Sequence, residues 1–433
     1  MKIRIRLKNN MNIRTPIDRN TIISLLVASF PVLCLAYGNG YNLPPIFLLI
    51  VALGFCWQFK QINYTKQVKW VIGSFIFYFL TYVASTLYYG GSFSEIDHPS
   101  RIVLILPIFL LLLLYPPKTN ILTTGFIIGS IIAGIVAIIH IYDFKLGRAF
   151  DDTFKTIHPS LKGYMPIQSG NMAMTLGLIS LTISIYYLTL KSWWKFIFCL
   201  IAALLGIFAS FLSGSRGGWV FLPIALIYLV VTNRQFITKK TACLSIFVLA
   251  VALFSLSQNT KIMTRLQSAT QEISQYQQGA DETSSLGVRF ELWKSAIYTT
   301  EQHPIIGAGY QGRKALRELW SKEGLVNAEV ISLFLDSHSH NQYLEDLSVR
   351  GIIGLTALLA IFLIPLGIFI KNHKTCDLPK QKMINQCGAI SVIMMMGYCL
   401  TQAMFRHTSG IIFYSLVTVI FLAVSISMRE RKA

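Results

Sequence analysis

The sequence predicts an all-α polytopic membrane protein with about twelve transmembrane helices and one large helical loop. Hydrophobic residues make up 54% of the 433 residues, charged residues only 13%, and the mean hydropathy is +0.56. Soluble domains carry about 25% charged residues. The composition therefore excludes a soluble multidomain enzyme, a disordered chain and a disulfide scaffold.

Twelve apolar stretches approach the length of about 20 residues that a membrane-crossing helix needs. They cover residues 21–38, 43–59, 69–89, 101–116, 120–142, 164–190, 194–212, 217–232, 240–257, 343–370, 384–405 and 408–428. The first follows basic residues and precedes Ala36 and Gly38, as a cleavable signal peptide would. Eleven further spans favour an uncleaved first helix.

The positions of Lys and Arg predict how the spans are oriented, because short cytoplasmic loops retain positive charge. With the N-terminus inside, the inner segments hold 22 of the 38 Lys and Arg residues, and the short outer connectors hold seven. We therefore expect both termini in the cytoplasm. The net charge of +19 does not indicate a nucleic-acid partner, because the basic residues are dispersed and lack flanking aromatics for base stacking.

One outer segment, residues 258–342, is far longer than the other connectors, which is typical of a folded functional element. The chain thus divides into residues 1–257 with spans one to nine, the loop domain 258–342, and residues 343–433 with spans ten to twelve. Near-helical spacing predicts three helices in the loop, through Ile262, Leu266, Ile273 and Tyr276, through Phe290, Trp293 and Ile297, and through Leu316, Leu319 and Trp320. Residues 279–285 and 307–312 predict loops.

The first candidate site is the turn Ser213–Trp219, with the sequence SGSRGGW, at the outer edge of the membrane. As an interfacial turn, it would let Arg216 reach the headgroups and Trp219 anchor the boundary. As a functional turn, its small residues would leave backbone amides accessible beside a fixed cation, an arrangement that suits a phosphate group.

The second candidate site joins Arg289 and Trp293, one helical turn apart on the same face, to a following run His303-Pro-Ile-Ile-Gly307-Ala-Gly309. A solvated surface arginine is the alternative interpretation. Residues 307–312 also match the pattern GxGxxG. A dinucleotide site is excluded because the match follows His-Pro in an outer loop without a parallel sheet.

The third candidate site is a pair of histidines, His338 and His340, directly before the tenth span. A histidine exchanges a proton near neutral pH, so one at the mouth of a helix bundle can act as a general base. Together with Asp336 the pair could instead bind a metal, although a third or fourth ligand is not evident. A purely structural pair is the remaining alternative.

Negative evidence narrows the chemistry further. The outer segments contain no Asp-x-Asp pair to hold a divalent ion against a sugar diphosphate, and the chain contains no GxSxG or P-loop motif. The seven cysteines include no CxxC pair that would indicate a zinc site. We therefore expect no metal and no cofactor, with the charge of a leaving group stabilised by arginines and amides.

These motifs together resemble those of the O-antigen ligase and O-antigen polymerase family of bacterial envelope glycosyltransferases. The resemblance comprises the Ser-Arg216-Gly-Gly turn, the Arg289-x-x-x-Trp293 pair with the run after His303, and His340-Asn341 followed by Gly351-x-x-Gly354. It covers most of residues 200–360, and the remaining spans match by hydropathy.

The resemblance implies a glycosyltransferase that moves O-antigen polysaccharide from undecaprenyl pyrophosphate to the lipid A-core oligosaccharide. The reaction would take place at the periplasmic face of a Gram-negative inner membrane, among membrane lipids, with inversion at the anomeric carbon and without a metal ion. The fold would be similar to that of C-type membrane glycosyltransferases.

The resemblance also assigns roles to residues. His340 matches the essential histidine of the family, with His338 as an alternate, and Arg216 and Arg289 match the arginines thought to hold the pyrophosphate. Weaker candidates for substrate binding are Asn341, Trp293, Tyr343, Arg406 and His407.

Two features depart from the family pattern. Arg350 stands where relatives commonly carry an acidic residue, and the second outer loop, residues 143–163, is shorter than is usual in polymerases. The short loop favours a ligase over an O-antigen polymerase. A protein O-oligosaccharyltransferase would use the same apparatus, and a lipid-linked glycan transporter is disfavoured because charges are almost absent from the middle of the spans.

Overall fold

The computed structural model describes residues 18–151, 163–234, 260–278 and 282–430. Within these ranges the chain is almost entirely helical and contains no β-strand. The first nine helices are α1 Arg19–Leu33, α2 Leu43–Gly54, α3 Lys66–Tyr88, α4 Ser94–Leu114, α5 Thr119–Tyr142, α6 Pro166–Thr189, α7 Trp193–Leu212, α8 Arg216–Val220 and α9 Leu222–Thr232. The remaining seven are α10 Thr260–Gln277, α11 Ser285–Gln302, α12 Gly309–Lys322, α13 Ala328–Phe334, α14 Gln342–Lys374, α15 Pro379–Thr401 and α16 Thr408–Glu430.

Eight of the described helices, α3 to α7 and α14 to α16, are long and apolar enough to cross a membrane. This confirms an all-α polytopic membrane protein. The first, second and eighth predicted spans correspond to the shorter apolar helices α1, α2 and the α8–α9 pair, and the ninth, residues 240–257, lies outside the described residues. Twelve crossings therefore remain a prediction.

The helices α15 and α16 lie at the centre of the bundle. Their most apolar 18-residue windows are 83% and 89% buried, against 39% for α3 and α7. Around them α14 packs against α3 and α15, and α6 packs against α7 and α15. The ends of α6, α8, α14 and α15 on the side of the loop domain lie close together.

The described residues of the predicted loop domain, 260–278 and 282–341, are mostly helical, as the apolar spacing predicts. Its three predicted helices are confirmed as α10, α11 and α12, and a fourth, α13, was not predicted. A small separate core holds α11, α12 and α13 together, built from Val288, Leu292, Trp320, Val326, Val330 and Ile331. The predicted loop at residues 307–312 is wrong in its second half, since α12 begins at Gly309, and residues 279–281 lie outside the described residues.

The long helix α14 is broken at Gly351, where the backbone has φ 63° and ψ −159°. This left-handed region favours glycine, and a Cβ atom at Gly351 would lie 2.2 Å from the carbonyl oxygen of Ile305. Gly307, with φ 69°, makes the reciprocal approach to the backbone of Val349. The glycines of the two sequence motifs therefore allow the loop domain to dock backbone to backbone on α14.

Backbone hydrogen bonds complete this docking. The amide of Ala308 donates to the carbonyl of Ser348 at 3.0 Å, and the amide of Ile352 donates to the carbonyl of Pro304 at 2.9 Å. The break in α14 leaves backbone groups unpaired within the helix, and these partners satisfy them. The His-Pro-x-x-Gly-x-Gly run is thus the structural joint between the loop domain and the tenth span.

Candidate functional site

The loop of residues 335–341 carries both candidate histidines to the N-terminal end of α14. His340 has a φ of 47°, and Asn341 caps the helix, with its side-chain oxygen accepting from the amides of Tyr343 at 2.9 Å and Leu344 at 3.1 Å. The cap and the left-handed residue before it set the direction of the His340 side chain. Asn341, a weak candidate for substrate binding, already has its side-chain oxygen occupied by the helix.

Two buried arginines of α12 hold this loop in place. Arg317 donates to the carbonyl of Leu335 at 3.1 Å and to that of Ser337 at 2.6 Å. Arg313 pairs at 2.5 Å with Glu345, which also accepts from the amide of Ser339 at 2.8 Å. The histidine loop is thereby clamped between α12 and the first turn of α14.

The imidazole of His340 is oriented by Gln402, a buried residue directly after α15. Nδ1 of His340 lies 2.6 Å from the side-chain oxygen of Gln402, and Nε2 of Gln402 lies 3.3 Å from Nε2 of His407. The amide group donates through its nitrogen, so its oxygen accepts from a protonated Nδ1. This tautomer leaves Nε2 of His340 with the lone pair that a general base requires.

Three histidines meet here. The ring of His338 lies 4.3 Å from that of His340 and 5.3 Å from that of His407, and Nδ1 of His338 accepts from the amide of His340 at 3.2 Å. His338, the alternate base, thus has one ring nitrogen occupied by the backbone. Among the described residues, no cluster of three or more His, Cys, Asp and Glu side chains is arranged to hold a metal ion.

The surroundings keep all three imidazoles neutral at pH 7. Burial lowers the pKa of His338 to about 3 and that of His407 to about 4. Burial also lowers the pKa of His340, assisted by the positive charges of Arg289 and Arg317 and opposed by the Gln402 hydrogen bond and Glu345. A neutral imidazole is the form that accepts a proton.

Arg216 and Arg289 come from distant parts of the chain but share one region. Burial, followed by the charge of Arg216, lowers the pKa of Arg289, and the carboxylate of Glu272 opposes that shift. Arg216 lies 3.8 Å from Glu272, whose other oxygen accepts from the amide of Leu286 at 3.0 Å. The positive charge of Arg289 also lowers the pKa of His340, so the three main candidates of the sequence analysis share one electrostatic environment.

The positive charges of the arginines near His340 are only partly compensated by carboxylates of the described residues. Nη1 of Arg216 is buried without a hydrogen-bond partner in the described structure. Arg289 and Arg317 form no ion pair with any carboxylate of the described residues, and Arg317 donates only to backbone carbonyls and serine hydroxyls. Burial accordingly lowers the pKa of Arg317 to about 9.

The Ser213–Trp219 turn differs in detail from the functional interpretation of its sequence. The amide of Ser215 donates to Oγ of Ser213 at 3.2 Å, that of Arg216 to the carbonyl of Gly214 at 3.1 Å, and that of Gly218 to the carbonyl of Ser215 at 3.1 Å. These amides are already satisfied within the turn. The guanidinium of Arg216 is therefore the group that the turn presents.

The glycines of this turn serve close packing. A Cβ atom on Gly217 would lie 2.0 Å from Oγ1 of Thr401, at the end of α15. The turn is also tied to α6, because Oγ of Ser215 lies 3.1 Å from the side-chain oxygen of Asn171. Arg216 is thus held against the end of α15, which Gln402 of the histidine cluster follows directly.

The other weak candidates occupy separate environments. Trp293 packs against Phe290, with ring centroids 5.7 Å apart, and its indole nitrogen is buried without a partner among the described residues. The hydroxyl of Tyr343 donates to the carbonyl of Met396 at 2.9 Å, which is a packing role. Arg406 lies 4.4 Å over the ring of Tyr310 and 3.9 Å from Glu345, beside His407 and on the edge of the cluster.

Arg350, the departure from the family pattern, belongs to a different network. It pairs with Asp346 one turn earlier, donates to Thr81, and lies 3.5 Å over the ring of Tyr82. The hydroxyl of Tyr82 and the amide of Gln342 both donate to Asp346, at 3.2 and 3.1 Å. Arg350 is therefore paired locally, within α14 and toward α3.

Sequence reasoning missed Gln402, Arg313, Arg317, Glu272 and Glu345. None of them belongs to a recognisable motif, and the contacts of Gln402 and His340 join residues 62 positions apart. The only sequence signal was the position of Gln402 in the last outer turn, next to the weakly favoured Arg406 and His407.

Comparison with known proteins shows which family this site belongs to. The family model described as O-antigen ligase matches residues 201–359, the stretch that contains Arg216, Arg289 and His340. The chain belongs to the O-antigen ligase family. Membership of this family makes the protein a membrane-bound enzyme of the ligase type that works on lipid-linked glycans.

A relative of similar length supports the comparison across most of the chain. An uncharacterized protein of Haemophilus influenzae is 31% identical over 403 residues, which is 92% of this chain and 97% of the relative. The similarity to this relative therefore extends well beyond the region that the O-antigen ligase family model matches.

Proposed function

We propose that the protein transfers O-antigen polysaccharide from undecaprenyl pyrophosphate to the lipid A-core oligosaccharide. The observation that carries the proposal is the partly compensated cluster of Arg216, Arg289 and Arg317 beside a neutral His340. A buried cation is costly without an anionic partner. A diphosphate would supply the missing negative charge.

The charge balance around His340 supports a diphosphate in particular. Glu345 is committed to Arg313 and to Arg406, and Glu272 is the one carboxylate that interacts with both Arg216 and Arg289 among the described residues. Arginines bind phosphate oxygens through paired N–H donors, and their attraction is strong in a site of low dielectric. The excess of positive charge matches the charge that accumulates on a departing lipid diphosphate.

In the proposed mechanism, Nε2 of His340 accepts the proton of an acceptor hydroxyl as its oxygen attacks the anomeric carbon. The new glycosidic C–O bond forms while the bond from that carbon to the diphosphate oxygen breaks, and the electron pair leaves on the diphosphate. Arg216 and Arg289 stabilise this charge without a metal ion. Direct displacement inverts the anomeric configuration, and a positioned general base typically contributes about 10²- to 10⁴-fold to the rate.

Gln402 is a positioning residue in this scheme. Its side-chain oxygen keeps the proton of His340 on Nδ1, and its nitrogen is oriented by His407. A hydrogen bond to the far nitrogen is the usual way in which a protein selects the tautomer of a working histidine. His338 supports the same ring by edge-to-face contact.

The proposal extends to location and organisation. With both termini in the cytoplasm, the loop domain 258–342 and the cluster around His340 would face the periplasm, between a nine-span and a three-span portion. The helices would lie in the bacterial inner membrane in an arrangement similar to C-type glycosyltransferases. The lipid tail of the donor stays in the bilayer while its diphosphate reaches the arginines.

Deletion of the gene tests the proposal, with envelope lipopolysaccharide separated on a gel. Loss of all polymer-capped bands, while lipid-linked polymer accumulates, is the result expected for a ligase. A cap of one repeat unit would indicate an O-antigen polymerase instead, and unchanged capping would contradict both. Restoration by the wild-type chain but not by its His340→Ala variant would tie the effect to this site.

Purified protein provides the matching test in vitro. Incubation with lipid-linked O-antigen and lipid A-core should yield capped lipopolysaccharide in the presence of a chelator as well as without it. Loss of transfer on chelation, restored by a divalent cation, would contradict the metal-free mechanism. Transfer to a protein acceptor but not to lipid A-core would indicate a protein O-oligosaccharyltransferase.

A further inference from the structure

The turn that joins α11 to α12 exposes apolar side chains where the loop domain meets the bundle. Ile305 is 63% exposed and Ile306 is 41% exposed, although the turn is tightly bonded to α14. An isolated exposed isoleucine is unremarkable, but adjacent ones on a structural joint require a partner for their surface. The level of this turn relative to the membrane identifies the partner.

Helix α14 gives the first measure of that level. The uncharged residues 351–370, about 20 in number, end at Lys371 and have the length of a hydrocarbon crossing. Gly351 therefore lies at the outer edge of the hydrocarbon layer. The amide of Ile352 is bonded to Pro304, and that of Ile353 to the carbonyl of Ile305 at 3.4 Å.

The surface of α14 around this edge is also apolar and exposed. Ile352 is 49% exposed, Ile353 41% and, further along the same helix, Leu363 50%. These positions lie on the part of α14 that faces away from the bundle, toward lipid. Ile305 and Ile306 adjoin α14 directly after its break at Gly351, so they extend the lipid-facing surface of this span.

Helix α3 gives a second and independent measure. It ends at Tyr88, which is 72% exposed, and tyrosines at the ends of membrane-crossing helices occupy the boundary between lipid and water. The hydroxyl of the adjacent Tyr89 donates to the carbonyl of Gly307 at 2.5 Å. Two separate spans thus place the turn at the same boundary.

We propose that residues 304–307 insert into the lipid leaflet on the loop-domain side and form a membrane foot, with the acyl chains of bilayer lipids as its partner. Irregular backbone is tolerated at this depth because α14 and Tyr89 satisfy its polar groups. The foot follows directly after α11, the helix that carries Arg289, and so fixes the loop domain against the membrane surface from which a lipid-linked substrate arrives.

Photocrosslinking of the whole protein in phospholipid vesicles tests this inference. A benzoylphenylalanine replaces Ile305, or Leu363 as a lipid-facing control, or Leu319 as an aqueous control. Leu319 is 45% exposed and lies in the loop domain between the exposed charges of Glu318 and Lys322. Phospholipid adducts are measured by mass spectrometry of the folded protein.

The expected result is that position 305 yields phospholipid adducts within about threefold of position 363 and at least tenfold above position 319. Adduct formation at 305 no greater than at 319, or crosslinks from 305 to another protein copy alone, would overturn the inference. If the bulky group prevents folding, an environment-sensitive dye on Ile305→Cys replaces it, with the unsubstituted protein as background. If the dye at position 305 shows the same emission wavelength, typical of water, as the dye on Leu319→Cys, the inference is overturned.

Discussion

Two groups of buried and half-buried arginines show how differently the protein treats charge. Arg350 is paired with Asp346, bonded to Thr81 and covered by the rings of two tyrosines. Around His340, by contrast, Arg289 and Arg317 lack ion-pair partners among the described residues, and Arg216 has one carboxylate, that of Glu272, at 3.8 Å. Both groups pay a desolvation cost, and the charge of Arg350 has a close buried carboxylate, although its Nε and Nη2 atoms lack hydrogen-bond partners among the described residues.

The difference separates a structural role from a ligand-binding role. A compensated network stabilises the contact between α14 and α3, and loss of one member leaves the other charge buried and unpaired. A partly compensated cluster weakens the empty protein and gains stabilisation when an anion binds. Substitutions should therefore affect the amount of folded protein in one region and catalysis in the other.

The largest effect is expected for His340→Ala, which removes the proposed base. Transfer of O-antigen should fall by about 10²- to 10⁴-fold, while the yield of folded protein stays normal. The matched control is His373→Ala, since His373 lies in the last turn of α14, at the opposite end from the histidine loop. Capped lipopolysaccharide at the wild-type level in His340→Ala would remove this residue from the site.

A loss of about 10²- to 10³-fold is expected for Arg289→Gln, the typical cost of removing a donor that stabilises developing negative charge. Arg289→Lys should recover only part of the rate, because an ammonium lacks the forked donors of a guanidinium. Lys322→Gln removes an exposed charge from the same domain and serves as the control. Equal rates for Arg289→Gln and Lys322→Gln in a transfer assay would contradict the assignment.

In the compensated region, Arg350→Met should destabilise the fold by about 3–5 kcal/mol, since Asp346 is left as a buried unpaired charge. The melting temperature of the purified protein should fall, and the double variant Asp346→Leu with Arg350→Met should recover part of the loss. An Arg350→Met protein that melts like wild type but has lost transfer would place Arg350 in the catalytic site instead.

The smallest effect concerns pH and Gln402. Burial and nearby arginines lower the pKa of His340, so the neutral base persists as pH falls and transfer should decline only below about pH 6.5. Gln402→Leu should reduce the rate by about tenfold, because both tautomers become populated. Gln402→Glu places a carboxylate beside Nδ1, raises the pKa of His340 and moves the acidic limb of the pH profile upward.

A residue with a merely structural role would not move this profile. The comparison therefore needs transfer rates of wild type and Gln402→Glu over the range from pH 4.5 to about pH 8, with melting temperatures measured in parallel. An unchanged acidic limb in Gln402→Glu, at normal stability, would show that Gln402 does not act on His340.

The sequence predicted the membrane helices, the helical loop domain and the three residues that the fold brings together. Hydropathy reports spans directly, and Arg216, Arg289 and His340 stand in short motifs. The identity of the groups around them could not be predicted in the same way. Gln402 and Arg317 reach the histidine loop only because the middle of α12 and the end of α15 lie beside the start of α14.

The glycines show a second limit on what the sequence can predict. In Ser213–Trp219 small residues suggested free amides, but the structure uses Gly217 for contact with Thr401 and satisfies neighbouring amides internally. Composition alone does not distinguish a glycine that exposes backbone to a ligand from one that admits another helix, because both need the absence of a Cβ atom.

The central claim is that Arg216 and Arg289 bind a lipid diphosphate next to His340. The most direct measurement is the affinity of the purified protein for a short-chain polyprenyl diphosphate, compared with the monophosphate of the same lipid. The wild type should prefer the diphosphate by at least tenfold, and Arg216→Gln or Arg289→Gln should abolish that preference, whereas His340→Ala should retain it. Undiminished preference in both arginine variants would contradict the account.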